Sequence, residues 1–499
     1  MMEYPRAGGQ TPALIVVGLV AARLVAAAFT PLTYDEAYYW TWSQHLAGGY
    51  YDHPPMVALV IRLGTLIAGD TEFGVRLVSV LLALPISWAI WRATAILFRD
   101  ARIAASATLL VNATLMVAVG TLIVTPDAPL IVASGFVLFA LAKVLDTGRG
   151  VWWLGVGVAV GLALLSKYTA LWFGVSILVW LTAVPQQRAW LRSPWPYLGA
   201  VVAFALFAPV IIWNAQHHWV SFIKQLGRAR VDSLTLRFFG EMIPAQIGFA
   251  TPLVFMLGVM GLIAIARDDA ATRPTRVLVN ALFWPIALYF AWHSLHSRVE
   301  ANWFGPIYPP FAVAAAVAMH RQWEPRWQRV VHFCGRWALP GGVVLWLALL
   351  VQADTGWLSG YRRDPTVKTI GVGWQELAAE IDAVRRANGI SCVLGPDYGT
   401  TAWLKFYLPH GICVESRIQR IRWVNMPEPD PALLKGPLMF VDEVRADGQA
   451  ALQQQFAHFE KLAVLPRKRG PLVIETYELD LLQGAKGEVL DRSSPPELQ

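Results

Sequence analysis

Long stretches of this chain carry almost no charge, and the charges that do occur gather in short turns. Arg92, Arg99 and Arg102 form one basic turn, and from there to Lys143 the only charged residue is Asp127. Lys143 and Arg149 form the next, and from there to Arg188 the only charged residue is Lys167. Each stretch is long enough for two membrane crossings of about 20 residues, and each lone charge falls near the middle, where the two crossings would meet. Within a bilayer the backbone must satisfy its own hydrogen bonds, so such runs can only be helices. Composition agrees: charged residues make up 15% of the chain, against about 25% in soluble domains.

The basic turns fix an orientation. Short cytoplasmic loops are enriched in Lys and Arg, so the turns at Arg92–Arg102, Lys143–Arg149, Arg188–Arg192, Arg267–Arg276 and Arg321–Arg336 read as cytoplasmic. Asp127, Lys167, the pair Arg298 and Glu300, the first loop with Asp35, Glu36, Asp52 and His53, and the stretch around His217, His218, Lys224, Arg228 and Arg230 then share the opposite face. The net charge of +7 is explained by these turns, so no nucleic-acid partner is expected. The partner is the bilayer.

The spacing predicts a mainly α, polytopic bundle over residues 1–353 with about 11–13 spans. Its first span runs from about Leu14 to Phe29 and is expected to be retained with its start in the cytoplasm. Its larger extramembrane loops are 31–55 and 215–248. The segment Pro54 to Ala68 is short and carries Arg62, so it reads as re-entrant or surface-lying; Asp35 to Leu46 reads as an amphipathic helix in the membrane interface. An odd number of spans leaves the tail after about Ala353 outside. There the pattern changes to helix over Gly373–Asn388 and Thr400–Leu408 and strand over Ser391–Leu394, Pro437–Val441 and Leu472–Tyr477. That predicts a small periplasmic α/β domain over 354–485, with a disordered tail over 486–499. Cys392 and Cys413 lie in this tail and can pair if it is extracytoplasmic.

Ionisable groups at membrane depth are expensive and tend to mark function. Asp35 and Glu36 are adjacent, so on a helix they point about 100° apart, one toward a reacting group and the other toward a neighbouring part of the site. A carboxylate flanked by Tyr34, Tyr38 and Tyr39 beside a low-dielectric membrane suits a general base; capping of a helix start is the competing reading. Asp52 and His53, before Pro54-Pro55, are oxygen and nitrogen donors for a divalent metal ion, or a solvated turn. Ser166-Lys167-Tyr168-Thr169 offers a cation among hydroxyls, and Arg298 a bidentate fork for the same anion unless it simply pairs with Glu300. The His217-His218 pair is a weak metal candidate. No glycine-rich phosphate loop or dinucleotide fingerprint is present. A lipid-linked anionic substrate fits better than a cytosolic nucleotide.

Taken in order, Asp35-Glu36, Tyr51-Asp52-His53-Pro54-Pro55, Arg76-Leu77, Thr125-Pro126-Asp127-Ala128-Pro129-Leu130, Ser166-Lys167-Tyr168-Thr169 and Arg298 to Trp303 resemble the bacterial GT-C glycosyltransferases of the protein mannosyltransferase-like superfamily. That group includes lipid A aminoarabinose transferases and rhizobial lipopolysaccharide galacturonic acid transferases. The resemblance implies inverting transfer of a sugar from a polyprenyl-phosphate donor to an envelope glycolipid, glycan or protein at the periplasmic face of the inner membrane. It implies Asp35 as general base and Glu36 positioning the acceptor or the base. Lys167 and Arg298 would neutralise the leaving phosphate, with Asp127 and Tyr51 binding donor sugar or phosphate and Asp52, with His53, near a metal or the donor phosphate. The aminoarabinose transferases carry Glu-Lys where this chain has Asp52-His53, so neither their metal nor their sugar carries over. The alternative is a multi-span transporter or flippase of a lipid-linked or polar solute; the absence of an evident internal repeat weighs against it.

Overall fold

Among the described residues, six helices are long and apolar enough to cross a membrane: Gln10–Phe29, Glu72–Phe98, Asp127–Thr147, Trp195–Gln216, Arg273–His293 and Pro325–Thr355. Two sharply bent pairs, Tyr168–Ala183 with Pro185–Arg192 and Arg237–Ala250 with Pro252–Ala266, raise the count to eight. Met56–Ala68, Ala101–Ala113 and Trp152–Ser166 are apolar but shorter. Counting apolar runs includes these short helices, which is why the expected figure of about 11–13 is larger. The structure is a computed structural model and describes residues 10–228, 234–266, 272–357, 365–444 and 450–492. Arg230, Arg267 and the tail from residue 493 onward lie outside the described residues.

Small residues let the helices approach closely, the usual device where lipid supplies no hydrophobic drive between them. A Cβ on Gly157 would sit 2.1 Å from the carbonyl oxygen of Gly199, so the Trp152–Ser166 and Trp195–Gln216 helices touch backbone to backbone. A polar clasp sits in the bundle interior: buried Arg23 on the first span donates to the side chain and carbonyl of Asn112 at 3.2 and 3.1 Å.

The second unit is a five-stranded sheet. β1 (Cys392–Gly395), β2 (Cys413–Ser416), β3 (Leu438–Glu443), β4 (Phe456–Arg469) and β5 (Leu472–Ala485) lie in the order β2-β1-β3-β5-β4. The first three are parallel, and β5 runs antiparallel to both β3 and β4. Helices Trp374–Ala387 and Tyr398–Tyr407 cover it. β2 and β4 are strands that the sequence reading passes over, because neither alternates cleanly. Cys392 and Cys413 form a disulfide between the paired strands β1 and β2.

This domain is bonded to the bundle where the first span ends. The Trp403 indole donates to the Leu32 carbonyl at 3.0 Å, the Gly371 amide donates to the same oxygen at 2.8 Å, and Thr33 bridges to Ile370. Buried Arg467 on β4 ties this junction down through the carbonyls of Val367, Ile370 and Val372. The segment after the first span is the helix Tyr34–Gln44, and it does not have the one-sided exposure of the amphipathic helix expected there. Every residue from Glu36 to Ser43 is buried, because its rings pack into the C-terminal domain: Tyr34 against Trp403 at 5.6 Å, Tyr38 against Trp423 at 5.3 Å, and Trp40 against Phe406 at 5.1 Å.

Candidate active site

The Tyr34–Gln44 helix starts with a capping box. Thr33 accepts from the Glu36 amide at 3.1 Å while the Glu36 carboxylate accepts from the Thr33 amide at 2.9 Å, satisfying two otherwise orphaned donors. The same carboxylate receives Arg76 Nε at 2.7 Å, Arg76 Nη2 at 2.6 Å and the Val124 amide at 3.0 Å. Glu36 is therefore turned into the protein. Asp35, one residue earlier and about 100° round the helix, faces a cavity of about 820 Å³. The expected divergence of the two acids holds, but of the two only Asp35 lines the cavity.

The cavity wall joins both units. The first loop contributes Asp52 and His53, the bundle contributes Asp127, Lys167 and Asn302, and the C-terminal domain contributes Tyr398 and Arg422. Rings complete it: Tyr168 packs edge-on to Phe222 at 5.3 Å, and Trp172 lies against Tyr289 at 4.6 Å. A lining with a charged part and an aromatic part suits an amphipathic ligand.

Asp127 opens the helix that follows Thr125-Pro126, and Lys167 sits where the Trp152–Ser166 helix gives way to a short 3-10 turn. The two lone charges of the apolar runs meet there: Lys167 Nζ lies 2.8 Å from Asp127 Oδ1, and Asn302 Nδ2 donates to the other oxygen at 2.6 Å. Asp52 is more heavily engaged. It pairs with Lys224, receives Arg422 Nη1 at 2.7 Å on both oxygens, and accepts from the Tyr38 hydroxyl at 3.0 Å. Burial pushes its carboxyl up, but Lys224 and Arg422 override that and hold it well below the usual carboxylate range.

Asp35 is the opposite case. Among the described residues it has no cation within ion-pair distance, and its hydrogen-bond partner is the Tyr398 hydroxyl at 3.3 Å. Burial pushes its carboxyl up to about 6, helped by the charge of Asp52 and opposed by the Tyr398 hydrogen bond and by Arg422. A carboxylate that titrates just below neutrality is suited to take a proton.

Comparisons with known proteins bear on the fold. The dolichyl-phosphate-mannose-protein mannosyltransferase family profile matches residues 52–213. The lipid A galacturonosyltransferase RgtD of Rhizobium johnstonii is 27% identical over 327 residues, 64% of this chain and 67% of that protein. ArnT from Cupriavidus metallidurans, crystallised bound to undecaprenyl phosphate, superposes with a TM-score of 0.66 over 95% of this chain and 98% of its own, at 17% identity. The chain has the fold of ArnT, a GT-C fold. The GT-C fold accounts for the bundle and for the sheet domain together.

Several motif residues of the GT-C reading land away from the cavity. Arg298 does not line it; its side chain is 68% exposed, with Glu300 at 3.7 Å and Glu241 at 3.9 Å as ion partners. The pairing with Glu300 is the plainer of its two readings. Tyr51 is buried behind the wall, under Lys224 Nζ at 4.2 Å and Arg422 at 5.6 Å from its ring. Asp52 and His53 do not fit a divalent metal. Two cations already occupy Asp52 and would repel one, and no group of three His, Cys, Asp or Glu side chains is placed to hold one among the described residues. His217 Nδ1 donates to the Trp213 carbonyl, 2.7 Å away, and its ring stacks on that indole. Arg422 and Tyr398 are the site residues that sequence reasoning misses. The run Arg420-Ile421-Arg422-Trp423 is basic and aromatic, but in a polar domain that composition is unremarkable.

Proposed function

We propose that this chain is an inverting glycosyltransferase that moves a sugar from a polyprenyl-phosphate donor to a hydroxyl of a lipid A-type envelope glycolipid, at the periplasmic face of the inner membrane. The observation that carries the reading is Asp35, a carboxylate of the cavity wall with no cation in ion-pair distance among the described residues. In the reaction the acceptor hydroxyl gives its proton to Asp35, its oxygen forms the new bond to the anomeric carbon, and the bond from that carbon to the phosphate oxygen breaks. The electron pair leaves on polyprenyl phosphate. In this reading Lys167 and Arg422, which line the cavity, offset that developing charge, Arg422 in place of Arg298. Asp127 is placed to accept from sugar hydroxyls. The aromatic wall suits the first isoprene units.

Two features support the periplasmic side. The arginine-rich turns lie at the opposite ends of the helices from Asp35, as the positive-inside rule requires. The Cys392–Cys413 disulfide belongs to an oxidising compartment. The relatives named above act on lipid A or were crystallised with undecaprenyl phosphate, which supports the donor and acceptor classes without naming the sugar. The test is mass spectrometry of envelope glycolipids from cells carrying the gene, lacking it, or carrying Asp35→Asn. Loss of one sugar mass in both of the latter, with the variant accumulating normally, is the expected result. A fully active Asp35→Asn protein would overturn the mechanism.

A further inference from the structure

Tyr398 begins the helix Tyr398–Tyr407, after Asp397 caps it by accepting from the Thr400 amide at 2.8 Å. Its ring is fixed on three sides: edge-on to Tyr38 at 5.2 Å, edge-on to Tyr34 at 5.8 Å, and beneath the Arg422 guanidinium at 4.4 Å. Next to it Gly399 lets the chain pass close to the catalytic helix, since a Cβ there would stand 3.3 Å from Tyr34. Arg422 is held in turn by Asp52, by Gln419 at 3.0 Å, and through its own carbonyl by the Tyr38 hydroxyl at 2.9 Å. The chain of contacts ends at Asp35.

We infer that the C-terminal domain completes the catalytic base: Tyr398 is a positioning residue that donates to Asp35 Oδ1, and Arg422, clamped to Asp52, holds Tyr398 in that pose. The inference rests on Asp35 being the base. Its consequence is that the pH at which turnover begins is set from outside the membrane bundle. A hydrogen bond to the ionised form favours ionisation, so Tyr398 works against the burial that keeps Asp35 protonated. Other groups around Asp35 do not duplicate it. Its own helix presents Tyr39 and the internally paired Glu36, and the first loop presents Asp52 and His53. The far wall holds Asp127 with its partner Lys167, and Glu300.

Losing the donor leaves a carboxylate that ionises later. Tyr398 donates at 3.3 Å, and removing a hydrogen bond to a charged group should move the acid limb of the pH–rate profile up by about one unit. The experiment uses membranes from cells expressing the full chain, with their native lipid donor and acceptor, incubated from pH 5 to 9. Conversion is read as the ratio of modified to unmodified glycolipid. Tyr398→Phe is expected to lose about tenfold more rate at the acid end than at the alkaline end. Arg422→Gln should shift the midpoint the same way, and Arg422→Lys should return it toward the parent position whatever its height. An even loss at all pH values, with the midpoint unmoved, means Tyr398 is only structural and overturns the inference. If Tyr398→Phe does not accumulate, a fluorotyrosine incorporated at position 398, a stronger donor of the same shape, tests the same hydrogen bond and should move the midpoint down, since Arg422→Gln also removes a charge that acts on Asp35 directly. Asp35→Asn in parallel separates the two failures: if it still turns over, the base assignment has failed first.

Discussion

Glu36 shares the motif that singles out Asp35, yet its role in the structure is internal, and that difference can be tested. Its carboxylate meets a fully buried guanidinium, Arg76, and both side chains are 0% exposed. The remaining Arg76 hydrogen bonds go to the carbonyls of Thr30 and Pro31, which carry no neutralising charge. Glu36→Gln keeps the shape and removes the charge, leaving a buried cation uncompensated. Breaking such a pair from one side costs about 3–5 kcal/mol. Glu36→Ala should cost more, because the capping box is worth about 1 kcal/mol and the Val124 amide would lose its acceptor for about 1–3 kcal/mol. The assay is thermal unfolding of the purified protein in detergent, beside Asp35→Asn. A fall of several degrees is expected for Glu36→Gln and none for Asp35→Asn. Replacing both partners, Glu36→Gln with Arg76→Met, should recover more than half of the loss, since the uncompensated cation is gone while the cap and the acceptor for Val124 remain. If Glu36→Gln melts like the parent but is as inactive as Asp35→Asn, Glu36 belongs to the chemistry and the structural argument is wrong.

Two further outcomes follow from the same site. The folded-state pKa of Asp35, about 6, lies above its unfolded value of about 3.9, so the folded protein holds that proton more tightly. The resulting stabilisation is complete below about pH 4 and is lost as pH rises through about 6; Asp35→Asn should therefore melt higher than the parent at pH 8, with the gap closing toward pH 4. Equal melting at both pH values would show that Asp35 is not strained by its surroundings. Because Lys224 and Arg422 occupy Asp52, treatment with EDTA should leave conversion within about twofold, and activity that vanishes on chelation and returns with a divalent ion would contradict the ion-pair assignment.

The parts of the site legible in sequence are those where a charge stands in an apolar context. Asp127 and Lys167 are each alone in a long uncharged run, and burying either without the other is costly, so their meeting at 2.8 Å is what the pattern demands. Asp35 is legible for the same reason. The helical geometry says that Asp35 and Glu36 diverge, but not which one faces inward; that is decided by Arg76, forty residues on. Arg298 misleads because a motif position fixes a residue's neighbourhood but not its rotamer or its partner. Tyr398 and Arg422 are illegible on different grounds. They belong to a polar domain, where a Tyr and an Arg are ordinary, and their partners lie 363 and 370 positions away. The fold class follows from hydropathy. The span count does not, since a 13-residue apolar helix such as Met56–Ala68 has the composition of a crossing without its length.

The two first-loop carboxylates show how one small region holds one acid ionised and the other ready to accept a proton. Asp52 takes Lys224 and Arg422 for itself, and in doing so leaves Asp35 without a counter-ion while adding a negative charge nearby. Environments that push two carboxylates apart in this way are how acid and base roles are assigned near pH 7. Asp52→Asn removes both effects at once: the charge that raises Asp35 disappears, and two cations are released beside it. The acid limb of the pH–rate profile should then move to lower pH, opposite in sign to the shift for Tyr398→Phe. The total rate will fall as well, because two cations lose their partner in a buried site, so the midpoint and not the height is the quantity to compare. An upward movement would mean that Asp52 acts on Asp35 mainly through the Arg422 clamp that poses Tyr398 and not through charge.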